Sequence, residues 1–144
     1  MTANEQVPVR VLLVEDDPTN QYVFRTILTG AGYEVEIAAD GRSGVERALA
    51  SRPGIILLDM MTPVMDGYEA AERLSADPRI DGIPIIALTA KAMMGDRDRC
   101  LEAGCDDYLA KPVARKALLQ MVGHWLEAND AEWMAIRRSR RMSA

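Results

Sequence analysis

The chain has 144 residues, of which 49% are hydrophobic and 27% are charged, and its formal net charge is -5. This length and composition are typical of one soluble globular domain with a single hydrophobic core. The acidic balance argues against general nucleic-acid binding, which needs a basic face to neutralise phosphates. The apolar runs are too short to span a membrane, and no secretory signal is visible at the N-terminus. We therefore expect a cytoplasmic protein without a membrane span.

Five segments have the length and apolar content of β-strands, and they lie at residues 9–14, 33–38, 54–59, 84–88 and 107–110. Each is followed by a segment with helical periodicity, at residues 18–30, 41–51, 68–76, 94–103 and 115–127. Pro18 suits the first turn of the first helix, and Gly30 or Gly32 suits its end.

Strands that alternate with helices of this length are predicted to pair in parallel through right-handed crossovers. Central strands without polar alternation indicate that helices cover both faces of the sheet. The predicted fold class is therefore α/β, a doubly wound five-stranded parallel sheet with five helices. We assign residues 8–128 to this domain, residues 1–7 to an N-terminal extension and residues 129–144 to a basic C-terminal tail.

Carboxylates are concentrated at two predicted strand ends. The first strand is followed by Glu15, Asp16 and Asp17, and the third strand ends in Asp59. In such sheets ligands bind at the carboxyl ends of the strands, where Glu15, Asp16 and Asp59 would repel one another unless a cation lay between them. Oxygen ligands suit Mg²⁺, and no His or Cys is at hand to favour a softer metal. We predict a magnesium site there, and we expect Asp17 to be an ordinary exposed charge.

A hydroxyl and an ammonium group follow two other predicted strands. These are Thr89, after the fourth strand, and Lys111, after the fifth. Both suit the negative charge of a phosphoryl group, because phosphoryl transfer depends on positioned positive charge more than on a general base. Asp59 is then a candidate nucleophile, since a carboxylate can form an acyl phosphate.

Four motifs occur in order along the chain: Val-Leu-Leu-Val-Glu-Asp-Asp-Pro, Leu-Leu-Asp-Met-Met-Thr-Pro-Val-Met-Asp-Gly, Ala-Leu-Thr-Ala and Tyr-Leu-Ala-Lys-Pro. Together they resemble the receiver domains of bacterial two-component response regulators over about residues 8 to 128. The resemblance implies a flavodoxin-like sheet with strand order 2-1-3-4-5. It also implies a phospho-acceptor that needs Mg²⁺, for which Mn²⁺ would be a substitute.

The resemblance assigns roles to individual residues. Asp59 matches the phosphorylated aspartate, and Glu15 and Asp16 match the acidic pair that binds the metal together with Asp59. Met61 matches the position whose backbone carbonyl binds the metal, and Lys111 matches the lysine that pairs with a phosphoryl oxygen.

Two further positions match the part of the family that switches on activation. Thr89 matches the hydroxyl that contacts the phosphoryl group and moves, and Tyr108 matches the aromatic residue that changes rotamer with it. Pro112 matches a proline preceded by a cis peptide bond. Thr62 and Val113 depart from the common methionine and phenylalanine, and neither departure touches the predicted chemistry.

The implied function is signalling through protein contacts. A sensor histidine kinase or a histidine phosphotransfer protein would phosphorylate Asp59, and a downstream target would bind the face formed by the fourth helix, fifth strand and fifth helix. The chain would catalyse only its own phosphorylation and dephosphorylation, so we do not expect an enzyme with a separate substrate. Because only about 15 residues follow the predicted domain, we expect a stand-alone receiver without DNA binding.

Three other functions are compatible with the predicted doubly wound α/β fold. An FMN-binding electron carrier would need a phosphate loop where the acidic residues 15–17 would instead repel phosphate. A phosphohydrolase of the dehalogenase-like class would need a second aspartate where Met61 stands. A receiver that acts only as a scaffold, without phosphorylation, stays open at this stage.

The tail carries an apolar pattern and four arginines, at positions 137, 138, 140 and 141. Leu126, Trp133 and Ile136 lie at helical offsets, so the fifth helix could continue past Asn129 and pack on the domain, bind a partner or form a homodimer. The arginines permit an acidic partner or an anionic membrane surface. Because tails are most often mobile and solvated, we expect this one to be solvated or loosely helical.

Overall fold

A computed structural model describes residues 7–90, 94–128 and 130–143. Most of the predicted extension at residues 1–7 therefore lies outside the described residues. Five parallel strands form one sheet in the order β2-β1-β3-β4-β5, which confirms the expected fold class. The strands are β1 (Arg10–Val14), β2 (Glu34–Ala38), β3 (Ile55–Asp59), β4 (Ile85–Thr89) and β5 (Asp107–Ala110).

The structure contains six helices within the described residues, one more than predicted. They are α1 (Pro18–Gly30), α2 (Gly41–Ser51), α3 (Gly67–Ala76), α4 (Met94–Ala103), α5 (Arg115–Glu127) and α6 (Asp130–Ser143), and a short 3₁₀ turn lies at Pro78–Ile80. Three helices begin at an aspartate whose side chain accepts a backbone hydrogen bond three residues on: Asp17, Asp40 and Asp66. These carboxylates satisfy N–H groups that the first helical turn leaves unpaired. Asp17 is exposed, as expected, and it caps α1.

The central strand β3 is buried along its whole length because helices cover both faces of the sheet. Ile56 and Leu58 belong to an apolar cluster with residues of α2, α3 and α4. Ile55 and Leu57 belong to a second cluster with residues of α1 and α5. This two-sided burial holds the backbone of β3 firmly up to its last residue, Asp59.

The C-terminal tail forms a separate helix that packs on the domain. The chain is extended at Ala128, with ψ at 147°, so α6 does not continue α5. Trp133 and Met134 are buried, whereas Ile136 is 56% exposed. The expectation of a solvated or loosely helical tail is therefore wrong, and of the two apolar tail residues at helical offsets Trp133 packs on the domain whereas Ile136 does not. The buried face also includes Arg137, whose long apolar stem can pack like a hydrophobic residue.

No helix within residues 7–90, 94–128 and 130–143 is both long enough and apolar enough to cross a membrane.

Gly41 begins α2 directly beneath the loop that follows β3. A Cβ atom at this position would overlap the backbone oxygen of Met65. Although alanine is the better helix former, we expect Gly41→Ala to lower the free energy of unfolding by about 1–3 kcal/mol, because the overlap with backbone cannot be relieved by a side-chain rotation. Urea denaturation measures this change.

Gly30→Ala is the matched control, because no atom lies within 4 Å of a Cβ atom at Gly30. It should leave the unfolding midpoint unchanged or raise it slightly. Equal midpoints for the two variants would contradict the proposed close approach of α2 to the β3–α3 loop.

Candidate functional site

The site lies at the carboxyl ends of β1, β3 and β4. Parallel pairing aligns Val14 with Leu58 and Asp59 with Leu88, so the residues after these strands meet at one edge of the sheet. Asp59, the last residue of β3, is 5% exposed. Its Oδ1 accepts a hydrogen bond of 3.0 Å from the backbone N–H of Met61, which orients the carboxylate.

Three carboxylates meet at this edge, as the sequence predicted. Glu15, Asp16 and Asp59 each place an oxygen within 4.8 Å of the others. Glu15 and Asp59 are buried, whereas Asp16 is exposed. The three side chains offer only hard oxygen ligands at a spacing that fits one small divalent cation. The residues present therefore fit the predicted magnesium ion.

Lys111 lies between the two buried carboxylates. Its Nζ is 2.7 Å from Oε1 of Glu15 and 3.0 Å from Oδ2 of Asp59. The backbone N–H of Lys111 donates to the carbonyl of Thr89 at 2.7 Å, which fixes the start of the β5–α5 loop beside β4. The peptide bond between Lys111 and Pro112 is cis, as the resemblance implied.

The buried charges alter one another's pKa values. Burial raises the pKa of the Glu15 carboxyl above its ordinary value of 4.5, although the hydrogen bond from Lys111 acts in the opposite direction. Burial alone would lower the pKa of Lys111, but its hydrogen bonds to Glu15 and Asp59 outweigh this effect and raise it. Lys111 is therefore firmly protonated, and it supplies the positive charge that two adjacent buried carboxylates need.

Thr89 and Tyr108 occupy neighbouring strands. Thr89 ends β4 and is 3% exposed, and Tyr108 lies in β5 opposite Ala87. Tyr108 is half-buried and packs against the apolar cluster on the α2, α3 and α4 side of the sheet. Thr89 and Tyr108 thus lie on adjacent strands of the sheet.

The two departures from the family pattern have simple structural roles. The hydroxyl of Thr62 is buried and donates to the carbonyl of Met65 at 2.9 Å, which closes the β3–α3 loop. Val113 packs against the apolar cluster on the α1 and α5 side of the sheet. Neither residue contacts the three carboxylates in any hydrogen bond or ion pair described above.

One contact near the site was missed by sequence reasoning. The side-chain amide of Gln21, in the first turns of α1, donates to the backbone carbonyl of Glu15 at 2.7 Å. It ties α1 to the loop that carries the first two carboxylates. In the sequence, the sign of this contact was a polar residue, Gln21, one helical turn after the Asp17 cap.

The surface around the site is partly apolar. Met61 and Val64 are 64% and 74% exposed, and Val64 has a φ angle of 68°, which is strained for a β-branched residue. A shallow groove of about 430 Å³ runs beside Lys111 between α1 and the β5–α5 loop, and it is lined in part by Val23 and Val113. The charged centre therefore lies beside exposed apolar side chains and a shallow groove.

The fold and this arrangement of acids and lysine define the receiver class. The family model of the response regulator receiver domain matches residues 11–123. The chain therefore belongs to the response regulator receiver domain family, which serves two-component systems.

Several relatives are similar over most of the chain. The polar-differentiation response regulator DivK of Brucella anthropi is 33% identical over 120 residues, covering 83% of this chain and 98% of DivK. Response regulator MprA of Mycolicibacterium vanbaalenii is 41% identical over 113 residues, covering 78% of this chain. The alignment spans 48% of MprA, so the chain corresponds to about half the length of that relative.

Solved structures agree with the fold. The receiver domain of the sensor histidine kinase PA1611 from Pseudomonas aeruginosa is 43% identical, with a TM-score of 0.79 over 85% of this chain and 100% of that one. That crystal structure has a magnesium ion coordinated in its active site cleft. A response regulator from Chloroflexus aurantiacus is 34% identical, with a TM-score of 0.81 over the same share of this chain.

Replacing Lys111 by methionine would leave two buried carboxylates without their counter-charge. In Mg²⁺-free buffer we expect Lys111→Met to lower the free energy of unfolding by about 2 kcal/mol, less than for a fully buried pair because Lys111 keeps some solvent contact. A carboxyl whose pKa is raised on folding contributes stability that is present below its unfolded pKa and is lost as the pH rises through its folded pKa. The loss should therefore be larger at about pH 7 than at about pH 4.5.

Urea denaturation at both pH values, with wild type measured in parallel, tests this expectation. Lys116→Met is the control, because Lys116 is exposed on α5. A pH-independent loss would mean that Lys111 stabilises the fold by packing and not by charge.

Proposed function

We propose that Asp59 accepts a phosphoryl group from a phosphohistidine of a sensor histidine kinase or a histidine phosphotransfer protein. The observation that supports this most directly is the joint contact of Lys111 with Glu15 and Asp59 beside the exposed Asp16. A carboxylate oxygen of Asp59 would attack phosphorus as the P–N bond to the imidazole breaks, and the imidazole would keep the electron pair.

Glu15, Asp16 and Asp59 would hold Mg²⁺, with the backbone carbonyl of Met61 as a further ligand. The bound ion would supply positive charge against the oxygens of the transferring phosphoryl group. Asp16 is the exposed member of the acidic cluster, so it would be the first to meet an ion arriving from solvent.

Lys111 would exchange partners during the reaction. It now binds the carboxylates of Glu15 and Asp59, and its ammonium would turn to a phosphoryl oxygen once phosphate is attached to Asp59. A lysine suits this exchange because it is a single point charge on a flexible stem. Thr89, at the neighbouring strand end, would donate its hydroxyl to the same phosphoryl group.

The signal would leave the site through Thr89 and Tyr108. Movement of the Thr89 hydroxyl toward phosphate would open space that Tyr108, half-buried one strand away, could fill by changing rotamer. A target protein would then recognise the altered face of α4, β5 and α5. In this role the chain would catalyse only its own phosphorylation and dephosphorylation, and it would act through protein contacts without direct DNA binding by the described domain.

The alternative functions are not favoured. Two buried carboxylates and an exposed one stand where an FMN phosphate would bind, and they would repel it without a bridging cation. A scaffolding role without phosphorylation would leave no use for the close grouping of acids and lysine, and the following experiment separates it from the main proposal.

Phosphorylation can be tested with acetyl phosphate and Mg²⁺ followed by intact mass measurement. We expect a mass gain of one phosphoryl group that disappears in Asp59→Asn, because the amide is not a nucleophile. Asp66→Asn is a matched control, since Asp66 caps α3 and asparagine caps equally well. No gain in wild type, or a gain that survives Asp59→Asn, would overturn the proposal.

Metal binding can be tested separately. Asp16→Asn should weaken Mg²⁺ binding at least about tenfold, since even residues that only orient metal ligands contribute this much. Isothermal titration calorimetry measures the affinity. Asp17→Asn is the neighbouring control, because Asp17 caps α1 and asparagine keeps the cap. Equal affinities for the two variants would place the ion away from Asp16.

A further inference from the structure

The helix α6 lies across the end of the sheet opposite to Asp59. Its partners are groups that precede the strands: the carbonyls of Ile80 and Ile83 before β4, and the carboxylate of Asp106 before β5. The site described above is at the other, carboxyl end of the same sheet. Energetic coupling between α6 and the Asp59 site would therefore have to pass through β4, β5 and the helices beside them.

Arg137 is the anchor of α6. Its side chain is 2% exposed, and its two terminal nitrogens donate to Ile80 at 2.9 Å and to Ile83 at 2.7 Å. It also forms an ion pair with Asp106, whose same oxygen accepts from the backbone N–H of Ile85. Breaking a buried pair of this kind leaves an uncompensated charge, so the anchored position is strongly preferred.

Arg140 and Arg141 of α6 bind elements on two sides. Arg141 donates to the carbonyl of Ser75 in the last turn of α3 at 3.0 Å and to the carboxylate of Asp81 at 2.6 Å. Arg140 donates to the carbonyl of Cys105, just after α4, at 3.3 Å. The helix therefore bridges α3 to the connection between α4 and β5.

The C-terminal part of α5 also contacts α6 and the start of β5. The indole N–H of Trp125 donates to the carboxylate of Asp107 at 2.9 Å, and the ring of Trp125 meets that of Trp133 edge-on, with centroids 5.6 Å apart. Asp106 and Asp107 directly precede Tyr108. Two helices, α5 and α6, are thus bonded to the two residues before the proposed switch tyrosine.

We propose that α6 is a clamp: its contacts with α3 and with the connection between α4 and β5 oppose the rearrangement of α4 and β5 on phosphorylation. This proposal rests on the function proposed above. A shift of α4 and β5 relative to α3 would strain the hydrogen bonds of α6, because Arg141 holds α3 and Arg140 holds the connection between α4 and β5. Arg137 bonds to both sides at once, to Ile80 and Ile83 before β4 and to Asp106 before β5. Coupling between two sites is reciprocal. Phosphorylation of Asp59 therefore loosens α6, and loosening α6 favours the phosphorylated conformation.

Hydrogen exchange of the full chain tests the first half of this coupling. Backbone amides of residues 131–142 are followed by mass spectrometry, with and without acetyl phosphate and Mg²⁺, after intact mass has verified phosphorylation. We expect exchange in this segment to speed up about fivefold on phosphorylation, at the lower end of typical coupling between sites. The two tryptophans provide a second readout, since both lie at the contact between α5 and α6 and their fluorescence should change in parallel.

Variants test the reverse direction. Arg141→Ala removes the α3 side of the clamp and leaves Arg137 in place, so the domain should stay folded. With Mg²⁺ present, we expect it to bind beryllium fluoride, a stable mimic of the phosphoryl group, about fivefold more tightly than wild type. Arg137→Ala should shift the affinity in the same direction, and Arg138→Ala, at an exposed position on α6, should not.

The outcomes separate the two proposals. A role of α6 in stability alone would lower the unfolding midpoint of Arg141→Ala without changing beryllium fluoride affinity, and that result would overturn the clamp. Phosphorylation that leaves exchange in residues 131–142 unchanged would overturn it as well. Absence of any mass gain with acetyl phosphate would instead overturn the proposed function, and the clamp with it.

Discussion

The contact of one ammonium group with two buried carboxylates is the interaction on which the rest of the structure depends. Glu15 directly follows β1 and Asp59 ends the neighbouring parallel strand β3, so pairing of these strands brings the two acids together. Without Lys111 or a bound cation, the two buried charges would repel each other. The lysine can occupy this place because its own backbone is hydrogen-bonded to Thr89 at the end of β4. The fold and the charges of the site are therefore parts of one arrangement, and each constrains the other.

The two ends of the sheet use the same kind of pair for different purposes. At one end Asp59 meets a lysine that keeps some solvent contact, and at the other Asp106 meets Arg137, which is almost fully buried. Lysine is a compact charge that can turn toward a new partner, which suits the proposed transfer of a phosphoryl group to Asp59. Arginine presents a rigid fork, and here its two terminal nitrogens bond to two carbonyls and a carboxylate, which suits a permanent anchor. The chemistry of Lys111 thus suits a site of reaction at the carboxyl end of the sheet, and that of Arg137 suits a fixed structural contact at the opposite end.

The position of α6 also changes how the chain should be divided. A domain boundary after residue 128 follows the helical pattern of the sequence, yet α6 contributes the buried residues Trp133, Met134 and Arg137 to the folded unit. A protein cut at that boundary would expose the carbonyls of Ile80 and Ile83 and leave Asp106 without its partner. We therefore regard α6 as a structural part of this receiver domain, with consequences for stability at the edge of β4 and β5.

The sequence alone determined the five strands, the five helices after them and the residues at the strand ends, because apolar runs, helix caps and glycines act locally. The order of the strands was implied by the resemblance to receiver domains and not by periodicity, and the structure confirms it. Only the tertiary structure decided the fate of the tail. The sequence left open what the apolar stripe and the arginines of the tail contact, and the structure shows that Arg137 is buried and Ile136 is exposed. The physical reason is that the tail's main partners are backbone carbonyls, which every residue carries and which leave no pattern in the sequence.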